Sequence, residues 1–466
     1  MAGNFEFISI QAPEDAKDRK TRRLARSHAV KKAIENKRRQ QQLSGDIFPI
    51  TTVEDHYQSK KKGKGFSRPT AAPLLSHTTG AFDPFQALAV DSSRLQMLLS
   101  DYRARQAPEP VFSIAQELAF QSFHSVFRGG FDDPALVNAV MLSLAFAVTG
   151  NIDGECMRYQ GQTITYIRER MGSLNEAISE ATIGAILLLV GVVARLGLAS
   201  QVELHMGAVK RLLEICQAKG VYLNPGIKRA IFWQDLNSSI LAGSCRTVDH
   251  TTFAELLWTR DRFVPTFYRL PPGFQSLFHL LTRDFATVLE DLHALQCIRD
   301  VRSAKNASAM FMLHINNHTA SIQSRLESLS VSSDLQECCR LAAYLCSVML
   351  CCKVWCELVI PSHISSELLR GLHKIRDDEI WTKHPELLIW LLHVGGAFSP
   401  MGIVRSGYLD LLRSNSARFP RSWLELHIIL KQFVWSDKAF AAPVRALWEE
   451  AFHEGLRSEI TLRQFP

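Results

Sequence analysis

Four neighbouring residues in the middle of the chain carry groups that take part in nucleophilic and acid–base chemistry: Ser244, Cys245, Asp249 and His250. A hydroxyl or thiol beside an imidazole and a carboxylate is the set that covalent catalysis uses. Catalytic groups meet in space, however, so closeness along the chain says little by itself. We interpret this stretch as a loop between two helices and predict no catalytic residue in it.

Cysteines are the other candidates for chemistry. The chain has ten, none before Cys156, and six of them lie between Cys338 and Cys356. Cys352 and Cys356 have the spacing of half a metal site, but no C-x-x-C pair or neighbouring His supplies the remaining ligands. The distribution favours reduced thiols over a disulfide framework. We predict that these cysteines are small buried apolar residues of one helix and that they bind no metal.

The sequence lacks the common short motifs of enzymes. The patterns G-x-S-x-G, H-E-x-x-H and G-x-G-x-x-G and the kinase-type loops do not occur in the sequence, and the glycines around Lys64 lack the rest of a phosphate-binding loop. The prediction is a protein that is not an enzyme and that uses no cofactor.

The strongest chemical signal is positive charge near the N terminus. Between Lys17 and Arg39 there are eleven Lys/Arg residues, two acids and no Gly or Pro. Three interpretations stay open: a nuclear localisation signal bound by an import receptor, a basic, coiled-coil-like helix that contacts DNA phosphates, or a solvated tail. The predicted contact residues for an import receptor or DNA are Lys17, Arg19, Lys20, Arg22, Arg23, Arg26, Lys31, Lys32, Lys37, Arg38 and Arg39.

Charge also divides the chain into two parts. Residues 1–78 hold 16 Lys/Arg and 8 Asp/Glu, a formal charge of +8, whereas the other 388 residues hold 37 and 38, a charge of −1. Residues 43–78 contain Gly, Pro, Ser and Thr with little apolar periodicity, which is typical of a linker. We therefore predict a disordered basic arm and linker over residues 1–78 and a folded body over residues 79–466.

A membrane or secretory destination is not expected. The segment from Met1 to Arg23 is polar and charged, unlike a signal peptide. The two most apolar runs, residues 183–194 and 341–352, are each about a dozen residues, whereas a membrane span needs roughly 20. We interpret both runs as buried helices.

Apolar residues of the body recur every three to four positions, and no series of alternating strands occurs, so we predict an all-α body. Capping boxes are expected at Ser173/Glu176, Asp334/Glu337 and Ser422/Glu425. The predicted helices span residues 113–128, 133–149, 152–171, 175–197, 202–219, 225–243, 274–294, 305–329, 334–360, 364–372, 384–396, 402–413, 421–435 and 440–456.

The helix pair over residues 202–219 and 225–243 forms the centre of the predicted body. Gly220 is suited to the left-handed end of the first helix, and Asn224 followed by Pro225 is suited to the start of the second. His205 is expected to be a hydrogen-bonded core histidine. Asp235 is expected to accept hydrogen bonds from backbone donors or an Arg, and its alternative role is to bind a small-molecule effector in a pocket.

Several blocks of the chain resemble the regulatory domain of fungal-specific transcription factors. The first is the stretch that begins with H-M-G-A at His205 and ends with I-F-W-Q-D at Asp235. G-A-F-D-P-F with a following L-L-x-x-Y helix, H-P-E-L-L-I-W-L-L-H-V-G-G-A-F and the segment around W-S-D at Trp435 are similar to further blocks of the family. An F-x-F fragment ahead of Arg26-Ser27-His28 adds to the resemblance.

This resemblance implies an all-α regulatory domain and a role in transcription regulation in the nucleus. It also implies protein partners from a transcription complex and a possible homodimer. Members of the family usually carry an N-terminal binuclear zinc cluster built from six cysteines, and this chain has no cysteine before Cys156. DNA recognition by such a cluster is therefore not expected. The alternative is a helical interaction scaffold or co-regulator that does not contact DNA.

Overall fold

The computed structural model describes residues 89–105, 133–261, 265–301, 309–350, 359–420 and 422–452, all within one compact unit, Thr78–Pro466. The basic arm with its predicted contact residues, the predicted helix 113–128, and Cys351, Cys352 and Cys356 lie outside the described residues. The described secondary structure consists of helices and contains no strand, which confirms the all-α prediction.

In the first group of helices, two apolar helices are surrounded by the others. Buried residues cover nearly the whole circumference of each of these two helices, as expected of central helices. Asp133 caps the first of the two, and Ser179 caps the second. The group comprises α1 (Ser92–Ser100), α2 (Tyr102–Arg105), α3 (Pro134–Thr149), α4 (Gly154–Arg170), α5 (Leu174–Ala177), α6 (Glu180–Arg195), α7 (Ala199–Lys219) and α8 (Pro225–Ala242); α3 and α6 are the central pair.

The second group has short 3-10 helices at Pro265–Phe267, Phe278–Leu280 and Ser416–Arg418, whereas the 3-10 helix at Ala254–Leu256 contributes Leu256 to the first core. Its α-helices are α9 (Pro272–Gln275), α10 (Arg283–Val301), α11 (Ala309–Ser328), α12 (Asp334–Leu350), α13 (Val359–Lys374), α14 (Ile380–Lys383), α15 (Pro385–Ala397), α16 (Ile403–Ser414), α17 (Trp423–Leu430) and α18 (Asp437–Phe452).

Each group encloses its own hydrophobic core, and α11 contributes to both. Met312 and Ala320 of α11 belong to the first core, and Ile315 and Ile322 belong to the second. Helix α11 therefore lies at the junction of the two cores.

The predicted centre of the body is confirmed in its local details. Gly220 has the left-handed φ of 66° at the end of α7. Asn224 caps α8 by accepting a hydrogen bond from the Ile227 amide at 2.9 Å, and Pro225 occupies the first helical position. These signals depend only on nearby residues, which explains why they could be read from the sequence.

Some predicted helix boundaries are wrong. The helix predicted over residues 274–294 is divided between α9 and α10, because the consecutive prolines before Gly273 favour a separate turn and the Thr282 hydroxyl accepts a hydrogen bond from the Phe285 amide at 3.4 Å. The helix predicted over residues 175–197 is likewise two helices, since the Ser179 side chain caps a new start at Glu180. The helix predicted over residues 421–435 ends at Leu430.

One of the three predicted caps forms as expected. The Ser422 hydroxyl accepts a hydrogen bond from the Glu425 amide at 3.2 Å. Ser173 precedes α5 but makes no capping hydrogen bond through its side chain. Near Asp334, the cap is formed one residue earlier, because the Ser333 hydroxyl accepts a hydrogen bond from the Gln336 amide at 3.2 Å.

The two C-terminal blocks pack against each other. Trp390 of α15 is fully buried, and its indole N–H donates a hydrogen bond to the Val434 carbonyl at 3.1 Å. At the start of α18, the Asp437 carboxylate accepts hydrogen bonds from the indole of Trp435 at 2.7 Å and from the imidazole of His427 at 2.6 Å. The W-S-D sequence therefore ties α17 to α18.

Among the described helices, none combines the length and the apolar character that a bilayer span requires.

Candidate functional site

Two helices bring polar side chains into the interior where the cores meet. Burying a polar group costs free energy unless it is hydrogen-bonded, so such a cluster needs an explanation. The buried polar residues are Asn316, His318, Thr319, Ser321, Gln323 and Ser324 of α11, and Arg229, Gln234, Asp235, Asn237, Ser238 and Ser239 of α8.

Arg229 connects α8 to α11. It is only 1% exposed, and its guanidinium donates hydrogen bonds to the side-chain oxygens of Asn316 at 2.8 Å and Asn317 at 2.7 Å. A third bond goes to the backbone carbonyl of Glu255 at 2.5 Å. Burial lowers the pKa of Arg229 to about 10, so the group stays charged at neutral pH and these neutral oxygens solvate it.

Asp235 performs the structural role predicted for it. Its carboxylate accepts hydrogen bonds from the Arg246 side chain at 2.8 Å and from the backbone amides of Thr247 at 3.0 Å and Val248 at 3.1 Å. The side chain is 2% exposed. Asp235 therefore holds the beginning of the segment that follows α8, as a buried acceptor with an Arg and backbone donors.

That segment, residues 244–261, crosses α11, and we call it the strap. The side-chain amide of Asn317 donates hydrogen bonds to the strap carbonyls of Glu255 at 3.0 Å and Leu257 at 3.2 Å. Near the end of the strap, Arg260 donates a hydrogen bond to the Asp291 carboxylate of α10 at 2.7 Å. The strap is thus attached at its start, its middle and its end.

Asp291 is shared between two arginines. Its second carboxylate oxygen accepts a hydrogen bond from Arg325 of α11 at 2.6 Å. Burial raises the pKa of Asp291, and the two guanidinium groups oppose that shift. The buried carboxylate therefore links the strap, α10 and α11 through two partly exposed arginines.

His318 lies at the centre of this arrangement. Its side chain is fully buried, and its ring stacks on Trp258 of the strap with the centroids 3.9 Å apart and the planes 8° from parallel. Among the described residues, neither ring nitrogen has a hydrogen-bond partner. Burial holds the pKa of His318 well below its ordinary value of 6.5, so the ring is neutral at neutral pH.

The residues singled out for nucleophilic chemistry belong to the strap, and the loop predicted there is confirmed. Asp249 accepts hydrogen bonds from the hydroxyls of Thr251 at 2.7 Å and Thr252 at 3.1 Å, so its carboxylate organises a turn. The Cys245 side chain is exposed.

His205 differs from its prediction. It is half-buried on α7, and its ring makes no hydrogen bond within the described part of the chain. Burial lowers its pKa. The apolar spacing correctly predicted that His205 lies near the core face, but the predicted hydrogen bond is not formed.

The described cysteines are free thiols. Cys338, Cys339 and Cys346 are buried in α12, as predicted for one helix, and burial raises the pKa of Cys338 to about 12. Within the described ranges, no group of three or more His, Cys, Asp or Glu side chains is placed to hold a metal ion.

An open cleft of about 390 Å³ lies at another part of the junction, within the size range of small-molecule sites. Arg195 lies on its wall, with its guanidinium 4.6 Å from the centre of the Phe146 ring. The walls of the cleft combine apolar side chains with the guanidinium of Arg195 and the imidazole of His363. The lining residues are Phe146, Ala147, Gly150, Ala194, Arg195, Leu241, Val359 and His363.

The residues that sequence reasoning missed are Arg229, Asp291 and His318. Arg229 and Asn316 are 87 residues apart, so their pairing left no local pattern. One signal was present: α8 and the middle of α11 both mix polar residues into stretches that are otherwise apolar on all sides.

These observations define an all-α protein with two hydrophobic cores joined by a buried polar centre. The chain matches no family model, no curated protein and no solved structure.

Proposed function

We propose that this chain is a regulatory protein of the fungal transcription-factor type that has no zinc cluster. In this proposal it acts in the nucleus, and its helical body binds a partner or an effector. The basic arm serves as the import signal and adds nonspecific DNA affinity. Partners would be an import receptor, proteins of a transcription complex and, in a homodimer, a second copy of the chain.

One observation carries the proposal: blocks that resemble the family occupy positions that hold the body together. Trp233 and Asp235 are buried in α8, where Asp235 anchors the strap. Trp390 and Val434, from the two C-terminal blocks, are joined by a hydrogen bond. The function is inferred from the resemblance of these blocks to the family, and the contacts show that the blocks form the interior of the body.

The distribution of charge supports the separate roles proposed for the arm and the body. The arm and linker carry +8 and the remainder −1, so electrostatic attraction to an import receptor or to DNA phosphates would come from residues 1–78. The body would act through its surfaces and its cleft, and the cleft is the site we assign to an effector.

The test is localisation of a fluorescent fusion. The full-length chain is compared with a variant in which the eleven Lys/Arg residues from Lys17 to Arg39 are replaced by Gln. A matched control replaces Lys60, Lys61, Lys62 and Lys64 of the linker. We expect nuclear signal for the wild type and the control, and loss of it in the arm variant; cytoplasmic signal for all three would refute the nuclear role.

A second candidate function is a helical scaffold or co-regulator that does not contact DNA. The formal charge of −1 after residue 78 favours it, because a neutral body lacks the basic surface of most DNA-binding domains. Binding to DNA that weakens with salt and disappears on removal of residues 1–42 would favour the first function over this one. Binding with sequence preference that survives the deletion would contradict the role given to the arm.

A further inference from the structure

Among the side chains that contact the strap, the buried imidazole of His318 stacks on Trp258 and can change its charge with pH. We propose that neutral His318 holds the second half of the strap, residues 256–261, against α11, and that protonation of this imidazole releases it. Release would expose the polar centre between the two hydrophobic cores. This pH-dependent release involves only residues of the body and does not depend on the proposed function.

The contact between the two elements is direct. The Trp258 and His318 rings stack 3.9 Å apart, and the imidazole is fully buried. Neither ring nitrogen has a hydrogen-bond partner among the described residues. The neutral ring has therefore lost its hydrogen bonds with water on burial. An imidazolium ion would lose far more hydration free energy, since burying an unpaired charge costs more than burying a neutral polar group.

The charged groups around the ring make protonation still less favourable. On its own helix, His314 lies 6.3 Å away between ring centres, and the Arg325 charge also disfavours a proton on His318. From the strap, Arg260 acts in the same direction. Tyr268, from the segment after the strap, has its ring centre 6.4 Å away.

One neighbouring group favours the proton, but weakly. The backbone of Asp291 on α10 lies near the ring and raises the pKa of His318, against the larger effect of burial. The Asp291 carboxylate is already bound to Arg260 and Arg325. The indole face of Trp258 also attracts a cation, but such an attraction is weaker than the hydration that a buried imidazolium loses.

The direction of the pH effect follows from these contacts. His318 binds a proton more weakly under the closed strap than when exposed to water, so acid favours the open form. The strap is therefore held most firmly above the ordinary imidazole pKa of about 6.5. Below it, the ratio of open to closed strap rises about tenfold per pH unit, the slope for uptake of one proton.

The start of the strap should stay closed during this release. Asp235 holds the amides of Thr247 and Val248 on the other side of the strap, independently of His318. The released part contains its own reporters: the Leu256 amide bonds to the Phe253 carbonyl at 3.0 Å, and the Asp261 amide bonds to the Tyr268 hydroxyl at 2.9 Å.

The experiment is amide hydrogen exchange of the full chain between pH 7.5 and 5.0, corrected for the intrinsic exchange rate at each pH. The variants His318→Phe and His318→Gln both remove the titratable imidazole. The first keeps an aromatic ring and the second keeps a polar side chain, so either variant can be used if the other does not fold. His250→Phe and His314→Phe are the matched controls. The His250 imidazole is affected by the charge of Arg325, as His318 is, and the His314 ring lies 6.3 Å from the His318 ring.

In the wild type and both controls, we expect the opening constant for residues 256–261 to rise about tenfold per pH unit below 6.5, while Thr247 and Val248 keep their protection. In both His318 variants the opening constant should stay flat. The proposal is overturned by a flat wild-type profile, by the same rise in a His318 variant, or by a rise abolished in a control. It is equally overturned if Thr247 and Val248 lose protection in parallel, since the event would then be general unfolding.

Discussion

The Tyr408 ring occupies the space that a β-carbon on residue 395 would need. Two of its ring carbons lie 2.7 Å from where that carbon would stand, closer than real carbon contacts. The ring has no room to withdraw, because the Tyr408 hydroxyl donates a hydrogen bond to the Ser365 carbonyl at 2.7 Å and the Ser365 hydroxyl donates one to the Gly395 carbonyl at 2.8 Å. Helices α13, α15 and α16 thus meet at a glycine.

The substitution Gly395→Ala should therefore destabilise the body. We expect the free energy of unfolding to fall by about 1–3 kcal/mol, the usual cost of overpacking a core. The matched control is Gly207→Ala on α7, where a β-carbon would meet nothing within 4 Å. That control should raise stability by about 0.5–1 kcal/mol, because alanine favours helix. Urea unfolding measures both, and a neutral Gly395→Ala would contradict the packing described.

Asp437 should contribute stability that depends on pH. Burial alone raises its pKa, but hydrogen bonds from Trp435, Lys431 and His427 outweigh burial and lower the pKa to about 2. A carboxyl with a depressed pKa stabilises the fold above its ordinary pKa of 3.8 and loses that contribution as the pH falls toward 2.

We therefore expect Asp437→Asn to cost about 1 kcal/mol at neutral pH, a modest value because the side chain is 53% exposed. The difference from wild type should shrink between pH 4 and pH 2. Asp410→Asn on the exposed side of α16 serves as the control. Unfolding curves at several pH values decide the matter, and a difference that does not change with pH would count against the ion pair.

His393 should also lose stability in acid, but over a higher pH range than Asp437. It is 1% exposed in α15, and burial lowers its pKa to about 4, while a hydrogen bond to the Ile389 carbonyl opposes the shift. Its folded-state pKa lies below its unfolded value, so its contribution is complete above about pH 6.5 and declines toward pH 4. The loss amounts to roughly 3 kcal/mol over that range.

His393→Phe should remove this pH dependence. Its stability should fall less than that of the wild type between pH 7 and pH 5, whereas His279→Gln, a change at an exposed ring, should follow the wild type. Urea unfolding at pH 7, 6 and 5 provides the comparison. Parallel curves for the wild type and His393→Phe would show that burial of this imidazole is not coupled to pH.

Arg229 should be the most costly polar residue of the junction to remove. Arg229→Leu would leave the side-chain oxygens of Asn316 and Asn317 without their donor, while the Glu255 carbonyl would keep only its hydrogen bond from Asn317. Buried acceptors left unpaired cost about 1–3 kcal/mol each, so we expect a loss of about 3 kcal/mol or more. Arg211→Leu on the exposed face of α7 is the control. A loss below 1 kcal/mol for Arg229→Leu would contradict its role as the link between α8 and α11.

Local features were the ones that the sequence predicted well. The caps of α7 and α8 depend on residues within four positions, and Asp235 finds Arg246 and the following amides within 13 residues. Helix existence was predicted from apolar spacing, and the wrong boundaries occur where a side-chain cap starts a new helix, as at Ser179 and Thr282.

The polar centre could not be predicted in the same way. Its contacts join Arg229 to Asn316 and Asp291 to Arg325, across 87 and 34 residues, and only the packing of the helices brings these groups together. A histidine on an apolar helix gives no sign in the sequence that a tryptophan 60 positions earlier will cover it, as Trp258 covers His318.

The most direct test of the regulatory role is to tether the full-length chain to an unrelated DNA-binding domain and measure transcription of a reporter that carries its site. The comparison is with that domain alone at equal nuclear abundance. We predict a clear change in reporter transcription, and the same change when the eleven basic arm residues are replaced by Gln, because tethering makes import and DNA contact by the arm unnecessary. Reporter output equal to that of the domain alone, from a fusion that is folded and nuclear, would contradict the proposed role in transcription.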